Sequence, residues 1–182
     1  MKVVLANPPW EVENGYGCRT NSRWPHIRKD KHLAFPIYLG YTASLLEKAG
    51  IEVKVIDAVA QELNNKRYAK AVEDESPDMV FVETSTPTIN IDLESTRLLS
   101  GIGSKIFMLG AHATVFQREL LKENSFIDGT IRGEFELTIK DIASGKNLGE
   151  VPGLTFRNNG RVVQNHNRDY INDLDKLPFS GF

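Results

Sequence analysis

Thr84-Ser85-Thr86-Pro87-Thr88 carries four hydroxyls in five residues, and Gly110-Ala111-His112-Ala113-Thr114 sets a histidine among small side chains. Each segment follows an apolar run that reads as a buried strand, and each leads into a helical pattern. Hydroxyls and backbone N–H groups at a strand end can hold phosphate, ribose or amide groups. They can equally cap the next helix, with Thr88 or Asn90 as the cap. The small neighbours of His112 let a flat ligand approach the backbone, and the imidazole could hydrogen-bond at its rim. No second His or carboxylate stands at metal-ligand spacing from it. A third segment, Arg132-Gly133-Glu134-Phe135-Glu136, places two carboxylates in the first turn of a helix. There they complement the helix dipole, or accept bonds from ligand amides and hydroxyls.

The stretch from Asn7 to Ala34 reads as one long loop holding Trp10, Arg19, Arg23 and Trp24. Loops of this length inside a domain are usually functional or mobile. Exposed Trp and Arg there suit a flat or anionic group, or a docking domain. Several near-motifs fail. Gly15-Tyr16-Gly17 lacks the third glycine of a dinucleotide fingerprint and does not directly follow a strand. Gly101-Ile102-Gly103-Ser104-Lys105 lacks the phosphate-loop spacing and precedes a strand. Cys18 is the sole cysteine, which excludes an internal disulfide and a cysteine metal cluster within one chain.

Elements must bring these segments together. Strands are expected at Lys2–Ala6, Glu52–Asp57, Asp78–Glu83, Ser104–Leu109 and Ile127–Ile131. Helices are expected at Pro36–Ala49, Gln61–Glu75, Ile89–Ser100, Val115–Lys122 and Glu134–Ser144. This alternation predicts an α/β fold, a flavodoxin-like (Rossmann-like) five-stranded parallel sheet in the order 2-1-3-4-5. Ligands bind such sheets beyond the carboxyl ends of the strands, at the switch point between strands one and three. After residue 148 the rhythm changes. Gly153–Arg157 and Arg161–Val163 flank Asn158-Asn159-Gly160, a β-hairpin signal, and residues 170–179 read as a linker. The domain division expected is therefore 1–148 for the α/β unit and 149–182 for hairpin and linker.

The net charge of −2 gives no electrostatic case for nucleic acid. No apolar run reaches the ~20 residues of a membrane span. The opening residues are too short for a signal peptide, so the expected location is cytoplasmic.

The order and spacing of these pieces carry a resemblance. They are Val3-Val4-Leu5-Ala6-Asn7-Pro8-Pro9-Trp10, Ser22-Arg23-Trp24-Pro25, Val55-Ile56-Asp57-Ala58, the three loop segments above, and Asp173-Leu174-Asp175-Lys176-Leu177-Pro178-Phe179. Together they resemble the N-terminal cobalamin (B12)-binding domain of B12-dependent radical SAM enzymes, over nearly the whole chain. The resemblance implies a corrin over the carboxyl ends of the strands, with its nucleotide tail beside the sheet. It implies cofactor contacts from Asn7, Pro8, Pro9 and Trp10, from Thr84, Ser85, Thr86, Pro87 and Thr88, from Gly110, Ala111, His112, Ala113 and Thr114, and from Gly133, Glu134 and Glu136.

Two positions depart from the family's pattern. The cobalt-ligating DxHxxG is absent: Asp30-Lys31-His32-Leu33-Ala34-Phe35 has Phe in place of Gly and lies far from strand one. No metal ligand and no catalytic residue are therefore expected in this chain. Ala111 stands where a second glycine is usual, and its methyl group is expected to weaken cofactor binding. In the family a barrel follows, with S-adenosylmethionine and a 4Fe-4S cluster on CxxxCxxC, a motif these residues lack. The chain thus reads as a domain of a methyltransferase or cyclase, cut before its radical SAM domain and inactive alone. Two rival readings are a nucleotide- or sugar-binding transferase domain and a non-catalytic interaction domain with a vestigial site.

Overall fold

A computed structural model describes residues 1–13, 15–19, 25–31 and 33–179. In chain order the elements are β1 (Lys2–Asn7), β2 (Tyr16–Cys18), β3 (His26–Arg28), α1 (Ile37–Lys48), β4 (Glu52–Asp57), α2 (Asn65–Asp74), β5 (Met79–Thr84), α3 (Ile89–Arg97), β6 (Lys105–Gly110), α4 (Ala111–Val115), α5 (Gln117–Glu123), β7 (Gly129–Ile131), α6 (Glu136–Ala143), β8 (Leu154–Asn158) and β9 (Arg161–Gln164). The five parallel strands lie side by side as β4-β1-β5-β6-β7, the predicted 2-1-3-4-5.

The sheet does not stop at five strands. The hairpin β8–β9 adds antiparallel to β7, with Gly129 opposite Phe156 and Ile131 opposite Leu154, and makes seven. An exposed β7 edge would leave a row of unpaired N–H and C=O groups, and the hairpin covers it. Asn159 (φ 47°) and Gly160 (φ 78°) both adopt the left-handed backbone that a tight hairpin turn requires.

Continuous apolar strands bury both faces of the sheet. Val3, Leu5, Phe81 and Phe107 face α1 and α6, and the two phenylalanine rings stack at 5.0 Å. Val4, Ala6, Val80 and Val82 face Tyr68 and Val72 of α2. Gly50 (φ 74°) ends the first helix as its position predicts. The second helix starts at Asn65, later than Gln61, because Asn64 caps it: its side chain accepts the Arg67 N–H at 2.9 Å. The expected Val115–Lys122 helix is α5, Gln117–Glu123, and the short α4 before it ends at Val115, with Phe116 between them.

Two stretches without a strong pattern prove to be organised. Inside the Asn7–Ala34 loop, β2 and β3 form a small antiparallel sheet, with Gly17 directly against the Trp10 ring. Beyond β9, residues 165–171 are strapped to the domain. Arg132 bonds the carbonyls of Asn165 (2.6 Å) and His166 (3.2 Å) and the Asn167 side chain (3.0 Å). Arg168 pairs with Asp141, and the Glu134 carboxylate accepts the Ile171 N–H at 2.8 Å. The linker-like residues therefore fold back over the carboxyl end of the sheet. No helix among the described residues is long and apolar enough to cross a membrane.

Candidate functional site

A cavity of about 1070 Å³ opens at the carboxyl ends of β5, β6 and β7. Its walls come from the ends of those strands, from Ile37, Tyr38 and Tyr41 of α1, from Tyr170 and Ile171 of the strap, and from Leu174, Leu177 and Phe179 beyond it. Of the residues expected at a site, Thr84, Ser85, Gly110, Ala111, Thr114, Gly133, Glu134 and Glu136 line it. Gly110 (φ 99°, ψ −169°) holds the turn between β6 and α4, where a Cβ would lie 2.3 Å from the Thr84 carbonyl oxygen. Thr114 ties two loops together: its hydroxyl donates to the Gly110 carbonyl (2.8 Å) and accepts the Gly133 N–H (3.0 Å).

The other candidate residues stand elsewhere. Asn7 is buried at the end of β1, and its amide donates to Asp57 at 2.8 Å. The Pro8 carbonyl accepts from Arg19 at 3.1 Å, Pro9 is buried, and Trp10 covers Gly17. This loop closes over β1, and the cavity, which it reaches through Arg19 beside Glu83, Thr84 and Ser85, extends from the end of β5 over β6 and β7. Thr86 and Pro87 are exposed, and Thr86 reaches His112 Nδ1 at 3.2 Å. The imidazole leans on Phe116 at 4.7 Å, and desolvation lowers its pKa. Ala113 is fully buried below it. Arg23 and Trp24 lie outside the described residues.

The hydroxyl-rich loop has a use that its composition does not show. Thr84 and Thr88 both donate to Asp92 Oδ2, at 2.6 and 2.7 Å. The Arg19 guanidinium, expected on an exposed loop, pairs with Asp92 Oδ1 at 2.7 Å, with side chains only 4% and 0% exposed. Arg19 also reaches the Thr88 hydroxyl (3.2 Å) and the Glu83 carbonyl (3.4 Å). Neither Thr88 nor Asn90 caps α3 with its side chain, because the Thr88 hydroxyl is spent on Asp92. The network pins the Asn7 loop to the end of β5 and fixes the cavity wall at Arg19, Glu83 and Thr84. A cue existed in Asp92, Ser95 and Thr96, polar residues on the buried side of α3.

Glu83 and Glu136, one of them unforeseen, give the cavity its electrostatic character. One oxygen of each, Oε2, is buried without a hydrogen-bond partner. Burial pushes the Glu83 carboxyl up to about 7; Arg19 opposes this, while Asp57, Asp92 and Glu136 add to it. Burial also raises Glu136. A folded-state value above the unfolded one means that the native state holds the extra proton. Its stabilising effect is complete below the unfolded value near 4.5 and is lost as pH rises through about 7. Wild type should thus lose up to about 3 kcal/mol between pH 5 and 8 that a Glu83→Gln variant keeps. Urea midpoints of the two chains at both pH values test this; parallel losses would refute it.

Residues 26–143 match the family model of the B12 binding domain. The chain belongs to that family. Among curated relatives, the uncharacterized methyltransferase PH0819 of Pyrococcus horikoshii is 28% identical over 188 residues, covering 100% of this chain and 38% of its own length. The anaerobic magnesium-protoporphyrin IX monomethyl ester cyclase of Cereibacter sphaeroides is 25% identical, covering 97% of this chain and 28% of its own length. This B12-binding chain therefore spans well under half of those relatives. Among solved structures, the cobalamin-dependent S-adenosylmethionine radical enzyme OxsB, with aqua-cobalamin and S-adenosylmethionine bound, superposes with a TM-score of 0.75 at 18% identity. It covers 98% of this chain and 24% of OxsB. The radical S-adenosylmethionine methyltransferase TsrM of Kitasatospora setae gives 0.69 at 18% identity, over 91% of this chain and 30% of that one. At these identities the likeness is one of fold, and it is the fold of the domain that the sequence resembles.

Proposed function

We propose that this chain binds cobalamin in the cavity over β5 to β7 and serves as the cofactor-positioning domain of a cytoplasmic radical SAM methyltransferase or cyclase. The observation that carries the reading is the cavity itself. It is large and walled by tyrosines and small loop residues, and most of its lining falls within the residues that match the family. The residues fit such a guest. Gly110 lets the two loops approach at backbone distance, the Ala111 surface is exposed, and Glu83 and Glu136 each hold an acceptor without a partner. When bound, the cofactor supplies methyl-transfer chemistry, and this chain supplies its position and its dry surroundings.

S-adenosylmethionine and the 4Fe-4S cluster belong, on this reading, to a radical SAM domain outside these 182 residues. No histidine of this chain ligates cobalt on this reading: His112 is turned to Thr86 and Phe116. Thr84, Ser85, Gly110, Ala111 and Thr114 stand at the cofactor, while Asn7 to Trp10 brace the loop beside it. A polyphosphate ligand suits the cavity less well. Among the described residues, the carboxylates of Glu83, Glu134, Glu136 and Asp175 line it, and the one guanidinium there, Arg19, is paired with Asp92.

The test is retention of hydroxocobalamin by the 182-residue chain through gel filtration, read in the visible spectrum. Corrin bands travelling with the protein are expected, and Ala111→Trp, which fills the cavity side of the loop, should abolish them while the fold persists. Passage of all colour at the free-cofactor position, with protein well above the ligand concentration, would favour the vestigial-site reading.

A further inference from the structure

We infer that Glu83 and Glu136 are the cavity's acceptors for the N–H groups of a carboxamide-bearing ligand, which on the cobalamin reading above are the amide side chains of the corrin. The two residues arrive from different elements, the end of β5 and the first turn of α6, and both line the cavity. Glu136 is only 5% exposed, its carboxyl is approached by the backbone N–H groups of Phe135 and Glu136, and among the described residues Oε2 of each carboxyl is buried without a hydrogen-bond partner. Buried acceptors are normally satisfied, and an unsatisfied one is costly. A pair of them on the wall of a large cavity points to donors carried by the guest.

The surroundings select the kind of donor. Around Glu83 stand Arg19, Asp57, Asp92 and Glu136, and Glu134 adds its charge beside Glu136. Arg19 is committed to Asp92. Asp175, the hydroxyls of Thr84, Ser85 and Thr114 and the phenols of Tyr38, Tyr41 and Tyr170 add to the polar lining. Such a wall repels phosphate and carboxylate groups and accepts neutral N–H groups.

This role carries a pH signature. An N–H donor favours the ionised carboxylate, so a ligand binding Glu83 expels the proton that burial retains. Affinity then rises about tenfold per pH unit up to the titration of the free carboxyl and levels off above it.

The experiment is a spectral titration of the 182-residue chain with methylcobalamin in dim light, from about pH 5.5 to 8.5, with wild type, Glu83→Gln, Glu83→Leu and Glu136→Leu. Wild type should gain about fivefold in affinity between pH 6 and 7, the rise in the ionised fraction of a carboxyl titrating near 7. Glu83→Gln, which keeps an acceptor and loses its own titration, should show a clearly shallower pH slope, what remains coming from Glu136. Each leucine variant should bind at least about tenfold more weakly at pH 8, with urea midpoints no lower than wild type. A second probe covers a leucine variant that fails to fold: methylcobalamin with its amides partly hydrolysed to carboxylates. Loss of an amide at the contact should weaken wild-type binding and leave Glu83→Gln less affected. Wild-type affinity in the leucine variants at pH 8, or an unchanged pH slope in Glu83→Gln, overturns the inference. Absence of any methylcobalamin binding by wild type overturns the cobalamin reading itself, a separate result visible before any variant is made.

Discussion

Asp92→Ala is expected to lower the stability of this chain by about 3–5 kcal/mol, the cost of leaving a buried charge without its partner. The Arg19 side chain is 4% exposed and has Asp92 as its carboxylate. Thr84 and Thr88 would lose the same acceptor at once. The damage is not confined to stability. Arg19 sits in the loop that closes over β1, and Thr84 ends the strand that carries Glu83. Freed, the loop no longer holds the cavity wall, so cofactor retention should fall with the urea midpoint. The double variant Arg19→Met/Asp92→Leu removes both charges together. A buried ion pair is often replaceable by apolar side chains at little cost, so this variant should recover most of the lost stability. If the double variant unfolds as readily as Asp92→Ala, the ion pair is not the cause of the loss.

The same network shows what kind of information the sequence carried. The parallel strands were legible because strands buried on both faces read as continuous apolar runs, as in Met79-Val80-Phe81-Val82. Their order was legible as the flavodoxin-like arrangement that five such strand–helix units fit. The hairpin was legible from Asn159-Gly160, yet its docking on β7 was not, since nothing local says which edge a hairpin will cover. The site divides in the same way. Gly110, Thr114 and Gly133 act through backbone and turn geometry, which residue type reveals. Asp92 and Glu83 act through partners 73 and 53 residues distant, Arg19 and Glu136 respectively, and only the folded sheet brings them together. Hydroxyls in the Thr84–Thr88 loop suggested a ligand, and half of them serve the protein's own buried carboxylate. Residues 165–171 lack periodicity, and what holds them is long-range: Arg132 on Asn165, His166 and Asn167, Thr138 and Asp141 on Arg168, and Glu134 on Ile171.

Gly110→Ala should cost about 3 kcal/mol or more, and should close the cavity to its ligand even where the chain still folds. Two independent terms add. The backbone at φ 99° and ψ −169° lies in a region open essentially to glycine alone. The added methyl group would also lie 2.3 Å from the Thr84 carbonyl oxygen and 3.3 Å from its amide nitrogen. Those are backbone atoms of the neighbouring strand, paired in register with residue 110, so no side-chain rotation relieves the overlap. Strands β5 and β6 must part at the end where the cavity opens, which displaces Glu83 and Ser85 together with Ala111. Gly133→Ala separates the two terms. Gly133 also has a positive φ (67°), but a methyl group there meets nothing within 4 Å. That substitution should cost only about 1 kcal/mol, from the left-handed backbone alone, and should leave retention of hydroxocobalamin near wild type. Urea unfolding and gel-filtration retention of the two variants side by side check both halves of the argument. Equal losses at the two positions would mean that backbone strain is the whole effect, and that the close approach of β6 to Thr84 does not shape the site.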